Sequence, residues 1–349
     1  MRNRSSISSS DQGRRRWAAL ALALLLVLSG EAALHFSGHR LLGYEQCLLR
    51  WKMDQIRPGA EGADVLLLGA SRVAHGLVPS ELEAVWGDDA RCLNLGIDGC
   101  PVETMVVTLD RYLEHHPPPR AVLASVVPLF LGPRKPLAGG FEVRSLFRLS
   151  DVAALGRGAG FDAWLDWLEG RVPSRARLTY LRQGLQSGCF EYPATGEKEG
   201  LVYRTPQALW KGLEDGSGYV PYVSGTLHDR SKRESAYWSA NFAVLPERVD
   251  QIRLLAGICE AHGVPLGLFA TPQPLTLYNR QARRGYNRRV RLFWERITGG
   301  LDEVTWVGPF VRAAGDEQFA DWWCHLTADG ARTFSRKFAL ETEFFLVEH

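Results

Sequence analysis

The sequence predicts an α/β fold in which a parallel sheet is covered by helices on both faces. Short apolar runs bounded by Gly or polar residues are typical of buried strands, and they occur at 64–69, 92–95, 121–127, 264–270 and 304–307. Between several of these runs, apolar residues recur at helical spacing. Strands and helices of this length that alternate along a chain predict a parallel sheet between two helical layers.

The helical segments have recognisable ends. One begins at Pro79 and stops before Gly87, and a second carries an apolar stripe over 102–113 before three prolines. A third stripe over 249–258 stops at Gly263. The last helix is expected after Thr327, whose hydroxyl can cap it.

The alternation is interrupted between the third and fourth strands. One domain is therefore predicted over 63–132 and 246–349, and residues 133–245 are predicted to be a mostly helical insertion that serves as a lid or acceptor-binding region. Helices are expected over 161–169 and 173–186, followed by many aromatic residues. These aromatics can stack on sugar rings, although a small hydrophobic core explains such residues more often. Residues 37–62 are predicted to be a juxtamembrane linker, because they end in Pro and Gly.

The N-terminus carries a membrane-targeting pattern. Residues 1–16 are rich in arginine and are predicted to form a cytoplasmic tail, and residues 17–36 form an apolar stretch about as long as a membrane-spanning helix. An uncleaved anchor is favoured over a signal peptide cleaved near Gly30–Ala32. Either interpretation places the rest of the chain in the periplasm or outside the cell. A buried core helix is a third, weaker interpretation.

Composition excludes some classes of function. The net charge of +2 gives the folded region no strong electrostatic reason to bind nucleic acid. The six cysteines form no CxxC pair, so no metal site is expected, and no cofactor is indicated. One or two disulfides and buried free thiols are both compatible with an exported chain.

Chemically useful residues follow the predicted strands. Ser71 comes just after the first strand, and His325 lies just before the last helix, with Asp321 four residues earlier. A serine hydroxyl needs a base, and that base needs a group that fixes its tautomer. Because ligands bind at the carboxyl ends of parallel strands, we expect Ser71 to act as nucleophile, His325 as base and Asp321 as its orienting group. A serine in such a turn is by itself usually only a helix cap.

Gly96 and His75 are also expected at this edge of the sheet. The backbone N–H groups of Ser71 and Gly96 can face a developing oxyanion. His75 is close to Ser71 in sequence and competes with His325 as the base, but a place at a helix start or pocket rim is the commoner role for such a residue.

Three segments resemble the conserved blocks of the SGNH/GDSL hydrolase superfamily. Leu66–Gly76 resembles its first block, Asn94–Gly99 its second, and Asp321–Gly330 its last. The likeness is strongest to its membrane-anchored bacterial branch, which includes D-alanine transfer proteins of teichoic-acid pathways and envelope polysaccharide O-acyl esterases and transferases. It covers about 63–132 and 246–345 and implies a three-layer α/β/α, flavodoxin-like SGNH fold.

The chain departs from that family pattern in three places. The Asp of the first block is replaced by Ala70, and no Asn follows the third strand, where the family supplies an oxyanion donor. The last block has Asp four residues before His, where the family has three. Arg72, Asn94 and Ser125 are candidate auxiliary groups, and of these Ser125 and Arg72 can substitute for the missing donor.

The resemblance implies a serine esterase or O-acyltransferase that acts on acyl groups, acetyl above all, of a cell-envelope or exported polysaccharide. A membrane O-acyltransferase partner would fit the relatives, and a lipid or thioester substrate is a weaker alternative. The main alternative is a catalytically weak SGNH-like module that binds glycan or scaffolds a polysaccharide synthesis complex. The missing Asn supports this alternative.

Overall fold

The structure is a computed structural model. It describes residues 9–37, 40, 42–87, 90–131, 147–151, 167–168, 182, 185, 202–222, 244–301, 304–321 and 323–347. The two helices predicted at 161–169 and 173–186 lie almost entirely outside the described residues.

A five-stranded parallel sheet forms the centre of the molecule, as the sequence predicts. Its strands stand in the order β2-β1-β3-β4-β6, the flavodoxin-like order once the separate strand β5 (Pro272–Pro274) is left out. The strands of this sheet are β1 (Val65–Gly69), β2 (Cys92–Asn94), β3 (Ala121–Ser125), β4 (Leu266–Phe269) and β6 (Val304–Val307). All five predicted strands are confirmed, with ends shifted by up to two residues.

Helices pack on both faces of this sheet. The helices among the described residues are α1 (Ser9–Phe36), α2 (Tyr44–Gln55), α3 (Ser71–Ala74), α4 (Pro79–Trp86), α5 (Val102–Leu113), α6 (Pro206–Asp215), α7 (Pro246–Ala261), α8 (Leu275–Arg283), α9 (Tyr286–Thr298) and α10 (Ala328–Val347). The apolar window of α1 is not buried against the rest of the chain. Short 3-10 turns occupy Pro128–Leu131 and Asp316–Gln318.

Alternate residues of each strand enter two separate cores, because side chains of a strand point to opposite faces. Leu66 and Leu68 of β1 pack in the core that includes α2, α5, α6, α7 and α9. Val65 and Leu67 pack in the other core, with α4 and α10. The molecule is therefore a three-layer α/β/α structure.

The segment 37–62 differs from its predicted role as a linker. It contains α2, whose Cys47, Leu48, Leu49 and Trp51 are all buried. This helix was not predicted, because the segment lies next to the apolar N-terminus and ends in the Pro and Gly residues of 58–62. The segment belongs to the core of the domain.

The described part of the insertion also joins the main core. Helix α6 packs against α2, and its Leu209 and Leu213 are fully buried. Thr205 caps this helix by accepting a hydrogen bond from the Ala208 N–H at 3.2 Å. Residues 202–222 of the predicted insertion are thus integrated into the domain.

Four elements near the C-terminus were not predicted. Strands β5 (Pro272–Pro274) and β7 (Arg312–Ala314) form a small parallel sheet, and α8 and α9 connect β5 to β6. The last helix was predicted correctly, since the Gly330 N–H donates to the Thr327 hydroxyl at 3.1 Å.

The N-terminal helix α1 is long and apolar enough to cross a membrane. Its window Trp17–Leu34 has a mean hydropathy of 2.0, and none of it is buried against the rest of the chain. The structure therefore excludes the core-helix interpretation, and the helix fits a membrane anchor or a signal sequence.

The cysteines in the described residues are free thiols rather than disulfides. Five of the six are described, and all five are buried (Cys47, Cys92, Cys100, Cys259 and Cys324). Cys189 lies outside the described residues.

Candidate active site

The candidate site lies at the carboxyl edge of the sheet, where the strand order reverses between β1 and β3. Ser71 is the first residue of α3, two residues after β1 ends. Ser125 ends β3 and pairs in register with Gly69, the last residue of β1. This switch point is the usual ligand crevice of open parallel sheets.

His325 is held firmly by Asp321. The Nδ1 atom of His325 lies 2.6 Å from Asp321 Oδ2, and its backbone N–H donates to Asp321 Oδ1 at 3.1 Å. Burial alone would raise the pKa of Asp321, but the charge and hydrogen bonds of His325 lower it. With the four-residue spacing, the carboxylate therefore still hydrogen-bonds both the ring and the backbone of His325.

The loop that carries His325 is strained and tied to the serine loop. Cys324 has a left-handed φ of 69°, a conformation that costs free energy for a residue with a side chain. Arg72 donates from Nε to the Trp323 carbonyl at 3.0 Å, so the residue after Ser71 contacts the loop just before His325. This hydrogen bond connects the two ends of the domain at the site.

The hydrogen bonds of His325 involve only one of its two ring nitrogens, and no hydrogen bond joins the other one to Ser71. Because Asp321 is a carboxylate, Nδ1 must carry the proton in their shared hydrogen bond. The Nε2 atom is buried and has no hydrogen-bond partner among the residues that the structure describes. In the neutral ring, Nε2 then carries the free lone pair that a general base requires.

His75 has the opposite arrangement. Its Nδ1 lies 2.8 Å from the Val220 carbonyl, and its Nε2 lies 3.1 Å from Asp98 Oδ1. Both partners are acceptors, so this geometry favours an imidazolium in which both ring nitrogens donate. Burial lowers the pKa of His75, but the Asp98 carboxylate and the Val220 carbonyl raise it above its usual value overall. With both ring nitrogens engaged, His75 is poorly placed to act as a base, and at 1% exposure it is not a pocket-rim residue.

Two residues of this cluster were missed by the sequence reasoning. Asp98 follows β2, so it lies at the same edge of the sheet as His75. The strand order would have allowed this placement to be predicted. Tyr222, from the region predicted as insertion, contacts His75 and His325 with ring centroids 4.8 and 4.9 Å away. The two histidine rings are 5.2 Å apart. No pattern in the sequence indicates the role of Tyr222.

The predicted oxyanion donor at Gly96 needs correction. Its N–H donates to the Asn94 side-chain oxygen at 2.9 Å, so it is not a free donor in this structure. The Asn94 side chain folds back onto the chain two residues later, as asparagine does in turns. The Ser71 N–H belongs to the first turn of α3, where a helix leaves its N–H groups without intrahelical acceptors.

The predicted auxiliary residues have different surroundings. Asn94 is fully buried and donates from Nδ2 to the carbonyls of Val73 and Leu77, each at 2.8 Å. Asn94 therefore holds the backbone that follows Ser71 in place. Ser125 is also buried, and it lines a cavity beside Arg72.

A buried lysine supports the same loops. Lys52 of α2 donates from Nζ to the carbonyls of Asn94 and Gly218. Burial lowers the pKa of Lys52 to about 7, partly opposed by the charge of Asp98. Within the described ranges, no group of three or more His, Cys, Asp or Glu side chains could hold a metal ion.

Comparisons with known proteins give little information. No family model matches the chain, and no curated protein matches it. A match among solved structures is a Streptococcus pneumonia protein provisionally named as a platelet activating factor. That match has 10% identity and a TM-score of 0.37, and covers 93% of this chain and 99% of the other.

Proposed function

We propose that this chain is a serine-dependent esterase or O-acyltransferase of the SGNH type, acting on acyl groups of a cell-envelope or exported polysaccharide. The reaction class is supported above all by His325, whose Nδ1 is held by Asp321 and whose buried Nε2 keeps a lone pair. The substrate class is carried over from the sequence resemblance.

The proposed reaction has two halves. The Ser71 oxygen attacks the ester carbonyl while His325 Nε2 takes its proton, and the imidazolium then returns that proton to the departing alcohol. In the second half, water or an acceptor hydroxyl gives a proton to Nε2 and attacks the acyl-serine. The Ser71 oxygen leaves and recovers its proton from His325. The Asp321 carboxylate stabilises the imidazolium in both halves.

Few N–H groups are available to stabilise the oxyanion. The Ser71 N–H is the first donor, and the Gly96 N–H joins it only if the Asn94 side chain releases it. Removing one oxyanion donor from such a site slows catalysis by roughly 10²–10³-fold. We therefore expect a slow enzyme with small activated esters.

Hydrolysis of 4-nitrophenyl acetate by the purified full chain tests the proposal. Ser71→Ala is expected to lower kcat/KM by at least about 10³-fold, because it removes the attacking oxygen. Ser80→Ala is the matched control, since Ser80 is an exposed serine on the adjacent helix α4. Equal rates for wild type and Ser71→Ala would refute the serine mechanism.

The alternative is a catalytically weak module that binds glycan or scaffolds a synthesis complex. Two observations favour it, namely the occupied Gly96 N–H and the absence of an Asn after β3. The region 133–245 is mostly outside the described residues, and its role as a lid or acceptor-binding region remains a proposal. A folded wild type that binds polysaccharide but hydrolyses no ester would support this alternative.

The orientation of the chain in the membrane gives a separate prediction. Because arginines precede the apolar helix α1, the domain is expected on the non-cytoplasmic side. Alkaline phosphatase fused after the C-terminus should be active, and a cytosolic reporter fused at the same place should be silent. An inactive phosphatase beside an active cytosolic reporter would contradict export.

A further inference from the structure

A short segment after helix α6 crosses the edge of the sheet that carries the candidate site. Residues 217–222 form this bridging segment. At its start, the Ser217 carbonyl accepts a hydrogen bond from the Asn94 N–H at 2.9 Å, and the Gly218 carbonyl accepts one from Lys52 Nζ. The bridging segment is therefore tied at this end to β2 and α2.

The bridging segment comes so close to β2 that one of its positions requires glycine. Gly218 has a left-handed φ of 91°, and a Cβ atom there would lie 2.2 Å from the Asn94 carbonyl oxygen. A side chain at this position would push the segment away from the edge of the sheet. The close contact at Gly218 therefore fixes the path of the segment towards the site.

The middle of the bridging segment is joined to the helix that Ser71 begins. The Val220 N–H donates to the carbonyl of Ala74, the last residue of α3, at 3.1 Å. The Val220 carbonyl lies 2.8 Å from His75 Nδ1. These two contacts hold Val220 beside α3.

The end of the bridging segment contacts the loop that carries the base. The Tyr222 carbonyl accepts a hydrogen bond from the N–H of Ala328, the first residue of α10, at 3.2 Å. The centroids of the Tyr222 and His325 rings are 4.9 Å apart, and their planes meet at 36°, closer to stacked than to edge-on. The His75 ring lies 4.8 Å from Tyr222 and 5.2 Å from His325. His325 therefore packs against two rings in addition to its hydrogen bonds with Asp321.

The hydrogen bond to Asp321 does not by itself fix the plane of the His325 ring. It holds the Nδ1 atom, and the ring could still tilt about the axis of that hydrogen bond and carry Nε2 to another position. Packing of the buried Tyr222 ring against the imidazole restricts this tilt. A displacement of about 1 Å at a reacting group can slow catalysis by roughly 10²-fold, so the restriction matters for a base.

We propose that Tyr222 is the positioning residue of His325, and that its ring restricts the tilt of the imidazole and keeps Nε2 in place for general-base catalysis. An aromatic ring within about 6 Å also attracts a cation, so Tyr222 favours the imidazolium that forms when Ser71 loses its proton. The inference rests on the proposed serine mechanism for the role of His325. It adds to the site a residue from the region predicted to be an insertion.

The Nδ1 proton of His325 reports on the position of the ring without any turnover. Asp321 shares this proton over 2.6 Å, and so short a charge-assisted hydrogen bond is expected to give a separate downfield resonance in the ¹H NMR spectrum of the full chain in detergent. His325→Ala identifies the resonance by its loss. Tyr222→Leu should broaden it beyond detection, because an imidazole that is free to move admits water to the proton. Tyr222→Phe keeps the ring and should retain the resonance.

Hydrolysis of 4-nitrophenyl acetate measures the effect on the reaction. Tyr222→Leu is expected to lower kcat by about 10–10²-fold while KM stays within about threefold, because it disturbs the base and not the binding of the ester. Tyr222→Phe should keep kcat within about threefold of wild type. Tyr219→Leu is the matched control, since it removes a similarly buried ring from the same segment that packs in the core with α4 and α10.

The outcomes separate this proposal from the esterase proposal. Retention of the downfield resonance in Tyr222→Leu would overturn the positioning role, whatever happens to kcat. The role is equally refuted if no resonance of the wild type depends on His325, if Tyr219→Leu loses the resonance as fully as Tyr222→Leu, or if Tyr222→Phe behaves like Tyr222→Leu. Loss of the resonance in Tyr222→Leu alone, with no ester hydrolysis by the wild type, would instead retain the positioning of His325 and refute the serine mechanism.

Discussion

Ser71→Ala is expected to abolish labelling of the protein by an electrophilic phosphonate, and His325→Ala is expected to slow it by at least about 10²-fold. The probe reacts with an activated serine oxygen, and His325 Nε2 is the ring nitrogen with a free lone pair. His75→Gln should slow labelling by less than about tenfold, because a doubly donating imidazolium cannot take the proton from serine. Gel fluorescence over a time course gives the rates.

Asp321→Asn refines the same experiment. The amide removes the charge that favours the imidazolium and can present a donor to Nδ1, so the ring loses its correct tautomer. We expect a labelling rate between the rates of wild type and His325→Ala. If His75→Gln silences the probe and His325→Ala does not, the assignment of the base is wrong. If the folded wild type is never labelled, the binding-module alternative gains support.

The sheet was predictable because its strands are encoded locally. Four strands of the central sheet are buried along their whole length, and β6 is buried at its two ends. Short runs of this kind differ clearly from the neighbouring segments. Strands β5 and β7 lack this signal, because Pro272–Pro274 contains two prolines and Arg312–Ala314 only short side chains beside an arginine. Their pairing depends on the tertiary structure.

Helix α9 was detectable and was missed. Tyr286, Val290, Trp294 and Ile297 lie on one buried face at helical spacing, but many arginines between them hide the pattern. In the same way, α2 carries a buried face within a stretch whose ends suggest a linker. In both segments the periodicity of apolar residues was a better guide than the average polarity.

The site could be predicted only in part. The sequence predicts Ser71, His325 and Asp321 at one edge because strand ends determine where loops meet; of these, the structure brings His325 and Asp321 into contact, and the role of Ser71 stays a prediction. A sequence does not show which acceptor a given N–H bonds to. The hydrogen bond from the Gly96 N–H to the Asn94 side chain was therefore not predicted. The protonation of His75 likewise depends on Asp98, a neighbour that only the folded chain brings within 3.1 Å.

A buried ion pair between α5 and α7 gives the largest expected effect on stability. Arg248 and Glu103 are both fully buried, and Arg248 Nη1 donates to the Glu103 carboxylate. Arg248→Met would leave that carboxylate buried without its cation, which destabilises proteins by about 3–5 kcal/mol. Urea unfolding of the full chain in detergent, followed by tryptophan fluorescence, measures the loss.

Two controls decide whether the buried charge causes this loss. The double variant Arg248→Met with Glu103→Leu replaces both charges by apolar groups, so it should recover most of the stability that the single variant loses. Arg253→Met breaks an exposed pair with Asp250, in which the two side chains are 60% and 65% exposed, and should change stability by less than about 1 kcal/mol. If the double variant is as unstable as Arg248→Met, packing of the arginine stem, rather than an unpaired carboxylate, is the cause. If Arg248→Met is no less stable than Arg253→Met, the ion pair does not hold α5 and α7 together.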